Sequence, residues 1–273
     1  MKLPKVTNLS SYIFYQADIK TMDLREGLTS LPTAFLQSAK VGNLFLAKNH
    51  ATFYDYCLAS AKIDNIYFMS APPTGTYYNS WNSGLTVGAI HIIDIETWLK
   101  NCETSNYGWG DYAKNIINEN LETITELVVP ESVTKFINNG TKNMKWLEKL
   151  TIPHHVTSVG YDNFYGLYSL KELHFDMTIS ETGGNWASGD RFQYVGNSVE
   201  EGTTIYFGSN VRKIPDYFLD MKSGYTGRRN ITKLDFTNAK NLSIIGKYAF
   251  RYCRKISEIL FPSTITTIQD NAF

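Results

Sequence analysis

Leu127-Val128-Val129-Pro130, Leu150-Thr151-Ile152-Pro153 and Leu173-His174-Phe175 repeat one pattern at steps of 23 residues: apolar, variable, apolar, often closed by proline. A recurrence in this range marks a solenoid, in which each turn is one structural unit stacked on its neighbours. Two apolar residues flanking a variable one have the period of a β-strand with a single buried face.

Working outward, the same pair recurs as Met22/Leu24, Leu44/Leu46, Ile66/Phe68 and Ile90/Ile92 before this stretch. After it come Ile205/Phe207, Leu234/Phe236 and Ile259/Phe261. A second signature follows most copies, an apolar pair three residues apart such as Val156/Val159, Val211/Ile214 and Ile265/Ile268. A large apolar plug comes next, for example Phe35, Phe164, Phe218 and Phe250, with Cys57 and Thr141 standing in at two turns. The expected coil has three walls: the Leu-x-Φ strand, the Val-Thr-x-Ile stretch, and a brief helical or 3₁₀ segment carrying the plug. One turn alone buries too little to fold, so stability must come from stacking.

The turns Ile245-Gly246-Lys247-Tyr248-Ala249-Phe250-Arg251-Tyr252-Cys253 and Phe261-Pro262-Ser263-Thr264-Ile265-Thr266-Thr267-Ile268-Gln269-Asp270-Asn271-Ala272-Phe273 closely resemble BspA-like leucine-rich repeats. Val156-Thr157-Ser158-Val159-Gly160 with Phe164 fits the same pattern. The resemblance implies a mainly β repeat solenoid, a right-handed leucine-rich-repeat coil of about ten turns. It also implies a bacterial surface protein that binds a host or microbial partner, and a packing role for Cys253.

Residues 1–68 and 121–273 read as repeats, the latter with loop insertions at about 176–203 and 220–230. Residues 69–120 read as an elaborated turn continuous with the coil, with a strand at Ala89–Ile93. It is also expected to hold a helix from Ile95 to about Cys102, N-capped by Asp94, and a second helix from Asp111 to Ile117. The chain begins inside a half-turn and stops on Phe273 without a polar cap. Hence a segment of a longer protein is expected, or an end-to-end contact through Ile265, Ile268 and Phe273.

The 26 basic and 26 acidic residues balance, so the bulk positive charge that nucleic-acid binding needs is absent. No apolar run approaches the roughly 18 residues of a membrane span, and no secretory signal opens this segment. Cys57, Cys102 and Cys253 form neither a disulfide framework nor a zinc pattern. His154-His155 plus His174 could suggest metal ligation, but His154 and His155 follow Pro153 in a corner with no obvious carboxylate nearby, so a solvated turn is expected there rather than a metal site. Asp23 and Asp235 lie too many turns apart to act as a glycosidase pair. There is no phosphate loop, GxSxG or HExxH motif, and neither cofactor nor catalysis is expected. The sequons at Asn8, Asn139, Asn230 and Asn241 matter only in a eukaryotic secretory route.

The variable residue of each strand must point away from the core. Phe45, Tyr67, His91, His174 and Tyr206 put rings there, where a solvated face would favour charge and threonine. That stripe is the leading candidate binding surface, although aromatics also suit pleated surfaces without any partner. The loops add Tyr77, Tyr78, Trp81, Trp186, Tyr194 and Tyr225, whose rings either contact a partner or fold back over the coil. The expected partner is a protein or glycan at a cell surface. A bacteriophage virion component and a carbohydrate-active enzyme on the same fold are the alternatives.

Overall fold

The Leu-x-Φ pairs become parallel strands stacked in chain order. The computed structural model describes residues 1–3, 6–47, 52–69, 76–78, 80–101, 109, 115–118, 120–136, 140–160, 163–178, 192–220 and 229–273. Contacts divide the chain into two compact units, Met1–Thr123 and Ile124–Phe273.

In the first unit, strands Asp18–Leu24, Lys40–Leu46, Lys62–Phe68, Thr86–His91 and Ile116–Ile117 form one five-stranded parallel sheet in that order. Register places Met22, Leu44, Ile66, Ile90 and Ile116 in one buried column. Burying such a side chain stabilises by roughly 1.5–3 kcal/mol, and here each step of the stack repeats the gain. Strict alternation slips once in each long strand: Val41 and Leu44 are both buried with two residues between them. At that slip the backbones approach closely, and a Cβ on Gly42 would lie 2.6 Å from the Lys20 carbonyl oxygen. The short strands Ser30–Leu31, Thr52–Phe53 and Thr76–Tyr77 form the second wall.

In the second unit, strands Glu126–Val128, Lys149–Ile152, Glu172–Phe175, Thr203–Phe207 and Ile231–Asp235 stack in parallel. Leu127, Leu150, Leu173, Ile205 and Leu234 share one buried column. Short ladders again make a second wall, one joining Lys135–Phe136 to Ser158–Val159 and another running through Lys213–Ile214, Ile244–Ile245 and Thr267–Ile268. The expected tenth pair, Ile259/Phe261, lies outside any strand. Among the described residues the two units hold about nine turns of parallel β-solenoid, in keeping with the expected coil of about ten.

Among the described residues the third wall is built mainly of turns rather than helix, with Trp109 alone in 3₁₀ conformation. Its residues form tight turns with a left-handed residue at the same step of successive coils, Tyr12 (φ 62°), Ala34 (φ 54°), Tyr56 (φ 59°) and Ser80 (φ 65°). A left-handed residue ends a helix before it can start. The backbone donors bond the next coil instead, Leu36 N to the Cys57 carbonyl at 2.7 Å and Ser38 N to the Ala59 carbonyl at 2.8 Å.

The only α-helix among the described residues is Ile95–Asn101, where Asp94 Oδ1 accepts from Thr97 N at 2.6 Å as an N-cap. The strand expected at Ala89–Ile93 runs instead over Thr86–His91. The helix expected from Asp111 to Ile117 is corrected at its end: Ile116 and Ile117 are a strand paired to Ile90 and His91. Residues 111–114 and Cys102 lie outside the described residues. Thr141, at the plug position, is fully buried, and its hydroxyl donates to the Asn163 carbonyl, a polar link in place of a ring.

Candidate binding face

The outward residues of the first-unit sheet stack as predicted by register, Asp23–Phe45–Tyr67–His91. The rings lie nearly parallel: Phe45 and Tyr67 have centroids 4.4 Å apart at 12°, and Tyr67 and His91 4.1 Å apart at 17°. Arg25 closes one end, its guanidinium 4.9 Å from the centre of Phe45. Asp23 fixes that guanidinium with two charge-assisted bonds of 2.9 and 2.7 Å. The Arg25 guanidinium, by hydrogen bonding, holds the Asp23 carboxyl below its ordinary range. At the other end His91 has Ile117 as its register partner.

A polar row runs beside the rings. Asn43 and Asn65 are register partners, and Asn65 Nδ2 donates to Asn43 Oδ1 at 3.3 Å. Tyr67 Oη donates to the same oxygen at 3.4 Å, and Asn65 Oδ1 accepts from His91 Nε2 at 3.1 Å. His91 Nδ1 is buried without a hydrogen-bond partner. Since Nε2 carries the proton of the neutral ring, a second proton would have to sit on that buried nitrogen. Burial accordingly pushes the His91 pKa down.

In the second unit the outward row is Val128, Thr151, His174, Tyr206 and Asp235. His174 and Tyr206 stack at 4.7 Å and 11°. His174 Nε2 lies 2.7 Å from Glu172 Oε2, and Lys149 Nζ lies 3.6 Å from the same oxygen. The His174 hydrogen bond is the main cause of a lowered Glu172 pKa, against the opposing effect of burial. Glu126, Lys149 and Glu172 are in register, so the alternating charges form a ladder rather than a catalytic pair. Asp235 is likewise held below its ordinary range, first by the Thr237 backbone N–H at 3.0 Å.

The loop candidates divide. Trp81 is corrected: it is 1% exposed and occupies the plug position in the coil after Cys57, whose Sγ lies 3.8 Å from the Trp81 carbonyl. It packs against Phe53, Tyr77 and Trp109 at 5.3, 4.8 and 4.9 Å. Trp109 is fully buried there and donates from Nε1 to Tyr77 Oη at 3.2 Å. Tyr77 is half-buried and stacked on Phe53, whereas Tyr78 is exposed and stacked on the equally exposed Tyr54 at 5.2 Å. Tyr194 is half-buried in a turn, stacked on Tyr168 at 5.4 Å, away from the strand face. Trp186 and Tyr225 lie outside the described residues.

His155 also departs from expectation. Rather than lying solvated beside exposed His154, it is half-buried and donates from Nε2 to the Pro130 carbonyl at 2.9 Å. Among the described residues no three His, Cys, Asp or Glu side chains are grouped to hold a metal ion. No described helix is long and apolar enough to cross a membrane. The Arg25 lid and the Asn43–Asn65 row escaped the sequence reading. The asparagines were legible in principle, since each stands two residues before a ring in successive repeats.

A parallel β-solenoid with one Leu-x-Φ strand per coil defines a leucine-rich-repeat protein. The family model described as BspA type Leucine rich repeat region matches in six copies over residues 1–82, 117–223 and 222–273. The chain belongs to that family. Among solved structures it is similar to a leucine-rich repeat protein from Eubacterium ventriosum, at 19% identity over 94% of this chain and 82% of that one, with a TM-score of 0.46. It is also similar to a leucine rich cell surface protein from Faecalibacterium prausnitzii, at 16% identity over 90% of this chain and 64% of that one, with a TM-score of 0.35. No curated protein matches the chain.

Proposed function

We propose that this protein is a non-enzymatic recognition scaffold at a bacterial cell surface, and that its partner, a protein, docks on the outward strand faces. Family membership supports a binding scaffold. The observation that carries the choice of face is the Phe45–Tyr67–His91 column, pinned by Arg25 and the asparagine row. Rings fixed this firmly lose little side-chain entropy on binding, which suits an interface.

The same stacking favours a protein over a glycan. A sugar packs its C–H groups on an open ring face, and here the inner faces are taken by neighbouring rings and Arg25. What remains outward is ring edges, which carry the positive end of the aromatic quadrupole. In the second unit His174 and Tyr206 stack as a single pair, each covering one face of the other.

The test measures binding of the protein to panels of purified extracellular proteins and of glycans, with Tyr67→Ala/His174→Ala alongside. A protein ligand whose affinity falls roughly tenfold or more in the variant, at unchanged melting temperature, supports the reading. Unchanged affinity means another face binds. Binding confined to glycans removes the protein assignment, and product release from a polysaccharide removes the non-enzymatic one.

A further inference from the structure

Five residues before Phe45 on the same strand, the outward face changes from aromatic to charged. Lys40 and Lys62 are direct register partners on adjacent strands. Like charges placed opposite one another in a sheet are destabilising, and the only carboxylate in this row is Asp18, the register partner of Lys40 on its other side. Among the described residues Lys20, Lys40 and Lys62 have no carboxylate within ion-pairing distance.

These three lysines line an open groove of about 460 Å³ with Asp18, Gly42 and Asp64. At Gly42 the backbone passes so near the Lys20 carbonyl that a Cβ would clash, and the missing side chain leaves a notch in the row between Lys20 and Asp64. The groove therefore holds one more positive charge than negative. Asp23, the nearest carboxylate toward the rings, is engaged by Arg25. At about 3.3 Å per residue, the groove lies about 15 Å from the ring column along the strand. One extended partner segment can cover both.

We infer that the partner docking on this face is an acidic protein segment, with carboxylates entering the groove at Lys40 and Lys62 and the rest of the segment lying over the ring edges. This rests on the reading that the ring column is the docking face. Electropositive ring edges and a groove with one excess positive charge on one surface both complement carboxylates.

An array of short peptides, acidic ones paired with their Asn/Gln analogues, supplies the probe. Acidic peptides are expected to bind, to weaken steeply with added salt, and to lose roughly tenfold or more in affinity on Lys40→Glu/Lys62→Glu. Lys240→Glu, a charge reversal at an exposed site of the second unit, leaves that affinity unchanged. Peptides that bind equally well as Asn/Gln analogues, yet are lost with Tyr67→Ala, overturn the acidic-partner inference while the docking face stands. Acidic peptides lost with Lys40→Glu/Lys62→Glu but indifferent to Tyr67→Ala overturn the ring column instead. An array with no binder that responds to either variant overturns both.

Discussion

Tyr67 and His91 stack with ring centres 4.1 Å apart and planes 17° from parallel, from strands 24 residues apart in the chain. The stack leaves His91 Nε2 bonded to Asn65 and Nδ1 buried without an acceptor. Protonating this ring therefore costs more in the folded than in the unfolded chain.

The first prediction concerns pH. His91 has a folded pKa below its ordinary value of 6.5, so near that pH the unfolded state binds more protons than the folded one. Stability should rise as pH increases toward 6.5 and level off above it, and His91→Phe should flatten that rise in melting temperature. Asp23, Glu172 and Asp235 act in a lower window, because their folded pKa values lie below the ordinary 3.8, 4.5 and 3.8. Their contribution is present above those values and is lost as pH falls through the folded ones. A melting temperature flat from pH 4.5 to 7 in the wild type would contradict the His91 assignment.

Leu150 is fully buried between Leu127 and Leu173. Leu150→Ala should cost about 2–5 kcal/mol, because strands on both sides prevent collapse into the cavity. Urea denaturation followed by circular dichroism measures it, and a loss under about 1 kcal/mol would mean the column is loosely packed.

Gly42 sits where coils pass closest, and a methyl group there would meet the Lys20 carbonyl oxygen at 2.6 Å. Backbone cannot move aside as a flexible side chain can. Gly42→Ala should destabilise by about 1–3 kcal/mol, and Gly88→Ala, which meets the Asp64 carbonyl oxygen at 2.6 Å, by a similar amount. Thermal melts of the two variants check this.

Trp81 and Tyr78 separate core from surface within one coil. Trp81→Ala should cost about 3–5 kcal/mol by opening a cavity among Phe53, Tyr77 and Trp109. Tyr78→Ala removes an exposed ring that, among the described residues, stacks on Tyr54, and should cost within about 1 kcal/mol. Comparable losses in the two denaturation curves would contradict the burial assigned to Trp81.

Arg251 reaches across coils to Asp220 with two bonds of 2.7 Å, and the Asp220 side chain is 4% exposed. Arg251→Ala would leave that carboxylate buried and unpaired, at a cost of about 3 kcal/mol. Asp220→Asn/Arg251→Ala should recover part of the loss in a denaturation series, since no unpaired carboxylate charge is then left at position 220.

The repeat made the strands legible: Leu127, Leu150 and Leu173 stand in the column that their spacing implied. The outward direction of Phe45, Tyr67, His91, His174 and Tyr206 was legible for the same reason, because alternation within a strand is local. Ile116–Ile117 was missed since only two residues pair and no Leu-x-Φ pattern marks them. Trp81 was misplaced because its glycine-rich surroundings resemble a loop, while its role is set by Cys57 and Phe53 packed against it.

The order of side chains along the chain was enough to determine the coil, its inward columns and its outward rings, because a period of two within strands and a near-constant step between them leave one stacking register. Only the folded chain decided which outward groups touch. Arg25 covers Phe45, Asn65 bridges to His91, and Lys40 meets Lys62 through contacts between coils. Their geometry depends on side-chain rotamers and on how closely neighbouring backbones approach, and neither is written in the spacing of apolar residues.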